Sequence, residues 1–163
     1  MPVVSNTSPI LNLAIIGRLD LLRMQFDVVL IPPQVRAELK LDTEFAGVAV
    51  IQRAIEDGWL RQVEIKDIDL YRALSLELDS GESAAIALAM EQKIGTILLD
   101  ESDGRSKAKA MGLRPVGVLG ILLRAKRDGS LKSVKAAMQA LRKDAGFFVD
   151  ENLYNQVLEE AGE

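Results

Sequence analysis

The fold is decided by residues 78–103, which read LDSGESAAIALAMEQKIGTILLDESD. The first half predicts a helix, because Asp79 or Ser80 can cap its N-terminus and the apolar residues that follow are small enough to lie flat on a sheet. Residues 93–95 are expected to end that helix. Residues 96–99 then form a continuous apolar run, which is typical of a strand buried on both faces in a parallel sheet.

Asp100 follows this predicted strand directly. A carboxylate on a buried strand must leave the core where the strand ends, and ligands of open α/β sheets bind at that carboxyl edge. Asp100 is therefore a candidate functional residue, and Glu82, one turn into the preceding helix, is a second. Glu82 also has the capping-box spacing from Asp79, so a purely structural role stays open for it.

The rest of the chain alternates short strands with helices. Residues 3–4 predict a first strand, and in the polar turn after it Ser8 is expected to cap a helix that starts at Pro9. Residues 28–31 predict a second strand, and Pro33 can begin the next helix. The alternation predicts an α/β layer fold with a central, mostly parallel sheet.

Two later segments bear on the edges of that sheet. Residues 113–116 predict a last strand in an edge position, because Pro115 cannot donate to a ladder. Residues 59–63 fit either an edge strand or an extended connector. Further helices are predicted over 46–57, 67–77, 104–111, 118–125 and 131–141, with a last helix capped by Asp150.

The composition limits the chemistry. With 163 residues the chain is most simply one domain over 1–163. It contains no Cys and no His, which excludes disulfides, thiolate or imidazole zinc sites and Ser-His-Asp triads. Neither a P-loop nor GxGxxG is present, and no signal peptide or apolar run of the ~20 residues needed to span a membrane is found. We therefore expect a cytoplasmic protein whose catalysis uses carboxylates.

The charge is unevenly distributed along the chain. Residues 103–143 carry 11 basic and 2 acidic side chains, whereas 1–102 carry 9 and 16, and 144–163 carry 0 and 6. This basic block either forms solvated helix faces or is a surface for phosphates beside an acidic pocket that binds cations.

Four polar residues are expected to converge at the carboxyl edge of the sheet. They are Asn6 after the first strand, Glu38 on the helix after the second, Glu82 and Asp100. Three carboxylates and an amide, without His or Cys, make a hard oxygen site suited to Mg²⁺ or Mn²⁺. Such an ion can activate water for phosphodiester cleavage. Glu38 taken alone is equally a surface residue of its helix.

Neighbouring polar residues have simple structural explanations beside the functional ones. Thr7 and Ser8 are turn and cap residues, although donors at a helix N-terminus also bind phosphate. Asp103 and Glu101 either join the acidic site or belong to an acidic turn. Three cations of the next helix either contact a substrate strand or form a solvated face: Arg105, Lys107 and Lys109.

Four segments in this order resemble the PIN-like domain, in a prokaryotic branch similar to VapC toxin ribonucleases. They are VVSNTSPILNLAIIGRLDLL at 3–22, VLIPPQVRAEL at 29–39, LDSGESAAIALA at 78–89 and ILLDESDGRSKAKAMGLRPVGVLGILLRAKRDG at 97–129. The resemblance is strongest over 1–130, with C-terminal helices over 131–163. It implies a three-layer α/β/α sandwich, an endoribonuclease dependent on Mg²⁺ or Mn²⁺, frequent homodimerisation and pairing with a small antitoxin protein.

The resemblance also assigns the site by position. The four family acids fall on Asn6, Glu38, Glu82 and Asp100, with Asp103 as an adjacent acid, and Thr7 matches the hydroxyl residue after the first acid. Asn6 departs from the pattern, which has aspartate there. An amide oxygen can bind a metal but contributes no negative charge, which puts metal affinity and activity in doubt.

Two functions follow as hypotheses. In the first, the carboxylates hold a metal that cleaves RNA to leave a 5′-phosphate, and the basic block guides the RNA strand. In the second, the chain is a catalytically weak PIN-like module that binds RNA or a partner protein. A phosphoacceptor signalling domain is a poorer match, because the first strand ends without the acidic pair that such a pocket requires.

Overall fold

The computed structural model describes all 163 residues, as one five-stranded sheet with ten helices. The strands are β1 (Val3–Ser5), β2 (Val29–Ile31), β3 (Leu60–Gln62), β4 (Thr96–Leu98) and β5 (Arg114–Val116). The helices are α1 (Thr7–Ile15), α2 (Asp20–Gln25), α3 (Pro33–Glu38), α4 (Val48–Glu56), α5 (Ile68–Leu74), α6 (Ser80–Glu91), α7 (Ser102–Ala110), α8 (Val118–Arg127), α9 (Val134–Asp144) and α10 (Glu151–Glu160). None of the helices has the length and apolar character needed to cross a bilayer.

The sheet has the strand order β3-β2-β1-β4-β5, and every neighbouring pair is parallel. The chain first adds strands on one side of β1, through β2 to β3. It then returns along α6 and adds β4 and β5 on the other side. The strand order therefore reverses between β1 and β4, and the crevice at such a reversal is where open α/β sheets bind ligands.

Helices cover both faces of the sheet. Along β1, Val3 points into one apolar core and Val4 into the other, and along β4 Leu98 and Ile97 divide in the same way. All four side chains are completely buried. Successive strand residues point to opposite faces, so a strand with two buried faces has no polar alternation. The predicted three-layer α/β/α sandwich with a parallel sheet is confirmed.

Helix α6 is buried from Gly81 to Ala89 and packs against β1, β4, α3 and α5. The cap is Asp79 and not Ser80, since the Asp79 carboxylate accepts the Glu82 N–H at 2.8 Å. The helix ends at Glu91, and Lys93, within the predicted end at residues 93–95, takes the left-handed conformation with φ 55°.

Strand pairing corrects the predicted cap of α1 and decides between the two alternatives for residues 59–63. Ser8 is not the cap of α1: the helix begins at Thr7, and Asn6 takes the N-cap position because its extended backbone still bonds to β4. Residues 59–63 do contain an edge strand, since β3 pairs with β2. A pairing partner far away in the chain is not visible in local sequence.

Substitution of Ala85 by leucine tests the close packing of α6. Ala85 is fully buried, and we expect Ala85→Leu to lower the free energy of unfolding by about 1–3 kcal/mol, because the added atoms have no space between helix and sheet. Ala136→Leu, at an exposed position of α9, is the matched control and should change it by less than about 0.5 kcal/mol. Urea denaturation measures both, and equal effects would contradict the packing described for α6.

Candidate active site

The candidate site lies where β1 and β4 end side by side. The backbone N–H of Asn6 donates to the Leu98 carbonyl at 2.9 Å, which joins the two strand ends. The Asn6 side chain is 3% exposed, and its Nδ2 donates to Glu101 Oε2 at 3.4 Å. Its Oδ1 is buried without a hydrogen-bond partner. Such an acceptor is unusual in a folded protein, and it is available to a cation or a donor.

Glu38 reaches the same place from α3. Thr7 Oγ1 donates to Glu38 Oε2 at 2.6 Å, which fixes one end of the carboxylate. A Cβ on Gly81 would lie 2.6 and 2.8 Å from the two Glu38 oxygens and 3.0 Å from Asn6 Oδ1. These oxygens therefore converge on bare glycine backbone at the start of α6. A side chain at position 81 would occupy the space that they share.

Glu82, the next residue of α6, is buried and 6% exposed. The pKa of Glu82 is raised to about 8, first by burial and then by a hydrogen bond with the Asp79 carboxyl group and the negative charges of Asp79, Glu101 and Asp103. The reciprocal bond of a capping box, in which the Asp79 N–H would donate to the Glu82 carboxyl group, is not formed. Glu82 instead approaches the backbone of Gly104 at the start of α7.

A small acidic cavity of about 280 Å³ opens beside Glu82. It is lined by seven residues, five of which are acidic: Glu77, Leu78, Asp79, Glu82, Glu101, Ser102 and Asp103. Asp103, the predicted additional acid, thus lines the same cavity as Glu82, whereas Glu38 does not line it.

Asp100 is anchored to the first turn of α8. Its Oδ1 accepts the Val118 N–H at 3.0 Å, and a Cβ on Gly117 would lie 2.6 Å from the same oxygen. Its Oδ2 is buried without a partner. Burial raises the pKa of Asp100 to about 6, although the Val118 N–H and the nearby Arg105 oppose that rise. One oxygen of Asp100 is therefore structural, and the other is available to a ligand.

The predicted substrate-binding residues do not form one surface. Thr7 and Ser8 direct their hydroxyl groups to carboxylates, Thr7 to Glu38 and Ser8 to Glu101 Oε1 at 2.8 Å. Arg105 donates to the Leu99 carbonyl at 2.9 Å, near Asp100. Lys107 instead pairs with Glu77 at 2.5 Å, beside the acidic cavity, and Lys109 is exposed. Residues two apart on a helix point in nearly opposite directions, which separates Arg105 from Lys107.

Glu101, which the sequence offered either as an acid of the site or as part of an acidic turn, connects these groups. It accepts hydrogen bonds from Asn6 and Ser8, and its charge raises the pKa values of both Glu82 and Asp100. Gly81 was missed, because a close approach of three oxygens to one glycine depends on packing.

A family model described as a PIN domain matches residues 2–163. The chain belongs to the PIN-domain family. This match confirms the resemblance to the PIN-like domain and also includes the C-terminal helices after residue 130. No curated protein and no solved structure matches the chain.

PIN domains are generally nucleases and typically use divalent metal ions. The side-chain atoms that could bind a metal in this PIN domain are all oxygens, which is the ligand type that a hard cation prefers. Two of them, Asn6 Oδ1 and Asp100 Oδ2, are buried without hydrogen-bond partners. No three acidic side chains stand close enough to hold one ion together. The carboxylates divide into Glu38 on one side and Glu82 with its acidic neighbours on the other, and the Asn6 amide lies between them.

The substitution Gly81→Ala distinguishes an effect on metal binding from an effect on folding. Alanine is favoured over glycine in a helix by about 1 kcal/mol, and the exposed Glu38 can move away, so the free energy of unfolding of Gly81→Ala should be unchanged or slightly higher. Affinity for Mn²⁺ should fall roughly tenfold or more, because the methyl group takes the space between the Glu38 and Asn6 oxygens. Gly95→Ala, which meets no atom within 4 Å, is the control. Calorimetric Mn²⁺ affinity equal to that of the parent would contradict this assignment.

Glu82 should make the metal-free protein lose stability as the pH rises. Between the ordinary carboxyl pKa of 4.5 and the raised value of about 8, the folded state keeps a proton on Glu82 that the unfolded chain releases. The free energy of unfolding should therefore decrease through that window, by roughly 2 kcal/mol or more, and level off above it.

Glu82→Gln should remove most of this decrease, because the amide stays neutral at every pH. Urea denaturation in EDTA from pH 5 to pH 9 compares it with the parent and with Glu77→Gln, an exposed acid of the same cavity. Parallel pH profiles for the parent and Glu82→Gln would show that Glu82 titrates normally.

Proposed function

We propose that the chain is a metal-dependent endoribonuclease of the VapC-toxin type, which cleaves RNA phosphodiesters with Mg²⁺ or Mn²⁺. The observation that carries this proposal is the approach of Asn6 Oδ1 and the Glu38 carboxylate to the bare backbone of Gly81, at the reversal point of a PIN-domain sheet. The absence of His and Cys leaves oxygen ligands as the means of cleavage.

We place the metal among Asn6, Glu38, Glu82, Asp100 and Asp103, and an ion bound there would have to draw the acids together, because no three of them stand close enough in the structure to share one ion. Bound there, the ion would supply Lewis-acid stabilisation of charge on the phosphodiester and activation of a water. Thr7 keeps the Glu38 carboxylate turned toward Gly81, and the Val118 N–H leaves only Asp100 Oδ2 free. Glu82 holds a proton at neutral pH and must lose it before it can act as a ligand.

Partners follow from the same proposal. The substrate is RNA, a small antitoxin protein is the expected inhibitor, and the chain can form a homodimer. The net charge of +9 over residues 103–143 supports a nucleic-acid substrate, because the RNA backbone is attracted by clustered cations.

A second candidate is a catalytically weak PIN module that binds RNA or a partner protein. Two observations favour it: Asn6 stands where the family pattern has an acid, and no three acidic side chains form a cluster. Both reduce the negative charge that would hold a divalent cation in place.

The substitution Asn6→Asp tests the two candidates. It places one more negative charge within about 4 Å of the cation, which is worth about 4 kcal/mol at an effective dielectric of 20, and repulsion between carboxylates offsets much of that. We expect Mn²⁺ to bind about 5- to 150-fold more tightly and the metal-free protein to lose some stability. Cleavage of a labelled single-stranded RNA should rise, most clearly at low metal concentration.

Asn152→Asp is the control for net charge, because Asn152 is an exposed residue of α10. Calorimetry with Mn²⁺ and the cleavage assay are run on the parent and both variants. Equal metal affinity in the parent and Asn6→Asp would remove Asn6 from the metal site. Tighter metal binding without any cleavage would favour the binding module over the nuclease.

A further inference from the structure

A cavity of about 770 Å³ includes Asp100 in its lining and shares no lining residue with the acidic cavity. It is lined mainly by residues of β5, α8 and the C-terminal segment 147–160, together with Asp100 and Arg105. Its volume is within the range of roughly 300–1,000 Å³ that is usual for small-ligand sites. A molecule bound in this cavity would therefore reach the candidate active site.

Arginines dominate the charge of this cavity. Four line it, and Arg114 and Arg127 are exposed and take part in no ion pair. Three acids also line it, including Asp100. The planar guanidinium group binds phosphate through paired hydrogen bonds, which makes free arginines the usual cations of phosphate sites.

The cavity also exposes an aromatic ring. Phe148 is 78% exposed, and Phe147 is half-buried beside it. Aromatic residues are only 4% of the chain, so two adjacent rings in one cavity are a marked concentration. Exposing a phenyl ring to water is unfavourable, and such rings provide flat surfaces on which unpaired bases stack.

The residues that line this cavity also include one with a buried hydrogen-bond acceptor. Gln25 is 9% exposed, and its Nε2 donates to the Ile121 carbonyl at 2.9 Å, which fixes the orientation of the amide. Gln25 is one of the residues that line the cavity, and its Oε1 is buried without any hydrogen-bond partner. An amide oxygen held in this way accepts from the amino group of a base or from a ribose hydroxyl group.

We propose that this cavity binds an unpaired nucleotide of single-stranded RNA next to the phosphate at Asp100. Arg114 and Arg127 contact the backbone, Phe148 stacks on the base, and Gln25 Oε1 accepts from the base or the ribose. The inference rests on the proposed nuclease function and names the path of its substrate. Five acids surround the other cavity, so a polyanion is repelled from that side and attracted from this one.

RNA binding in EDTA tests this proposal apart from catalysis. A short labelled single-stranded RNA is titrated with the parent, Phe148→Ala and Arg127→Ala, all at one salt concentration and then over a salt series. Both residues are exposed, so the variants should fold, and melting curves check this. We expect each variant to bind about 5- to 30-fold more weakly, and Arg127→Ala to reduce the slope of log affinity against log salt by about 1.

Two matched controls lie outside the cavity. Leu76→Ala removes another highly exposed apolar side chain, and Arg72→Ala removes another exposed arginine, which lies on α5 and outside residues 103–143. Both should bind RNA within about twofold of the parent. Double-stranded RNA should bind more weakly than single-stranded RNA to the parent, because its paired bases cannot enter the cavity.

The outcomes separate the two proposals. Weaker RNA binding by the cavity variants, with no metal-dependent cleavage by any protein, would support this inference and reject the nuclease function. Metal-dependent cleavage together with unchanged RNA binding by Phe148→Ala and Arg127→Ala would overturn the inference alone. Binding of a synthetic acidic peptide that depends on Phe148, without binding of RNA, would make the cavity a protein-docking site and also overturn the inference.

Discussion

The structure depends on the parallel pairing of β1 with β4. Val4 pairs with Ile97 and Ser5 with Leu98, and the Asn6 N–H extends the ladder by one more bond. These strands are about 90 residues apart in sequence, and α6 makes the return that brings them together. Because both strands are buried on two faces, a shift of register would expose apolar residues or bury polar ones. The same pairing brings together the ends of the two strands, which Asn6 and Asp100 closely follow.

Electrostatic repulsion opposes the gathering of carboxylates that this pairing causes. The protein limits the repulsion by holding Glu82 protonated, by giving Glu38 and Glu101 hydroxyl donors from Thr7 and Ser8, and by giving Asp100 the Val118 N–H. At the centre of the site, Asn6 supplies a neutral amide where the family pattern has a negatively charged aspartate. Such a site is stable without a cation, and its affinity for one is reduced for the same reason.

The two cavities beside the site differ in the sign of the charge that dominates their linings. Helix α7 separates an acidic cavity around Glu82 from an arginine-lined cavity beside Asp100, and residues on its two sides contact the two cavities. A cation is attracted to one side and a phosphate chain to the other. The C-terminal segment supplies the aromatic ring and much of the wall of the second cavity, so the helices after β5 belong to the site as well as to the fold.

The sequence by itself determined the sandwich, because continuous apolar strands, small apolar helix faces and strand-ending acids are properties of neighbouring residues. It also placed Asn6, Glu38, Glu82 and Asp100 at one edge of the sheet and identified the PIN-domain family. Only the tertiary structure decided which of these atoms meet. The approach to Gly81, the linking role of Glu101 and the separation of Arg105 from Lys107 depend on how α3, α6, α7 and α8 pack on the sheet. Distances between elements remote in the chain follow from packing of the whole core, which no local pattern encodes.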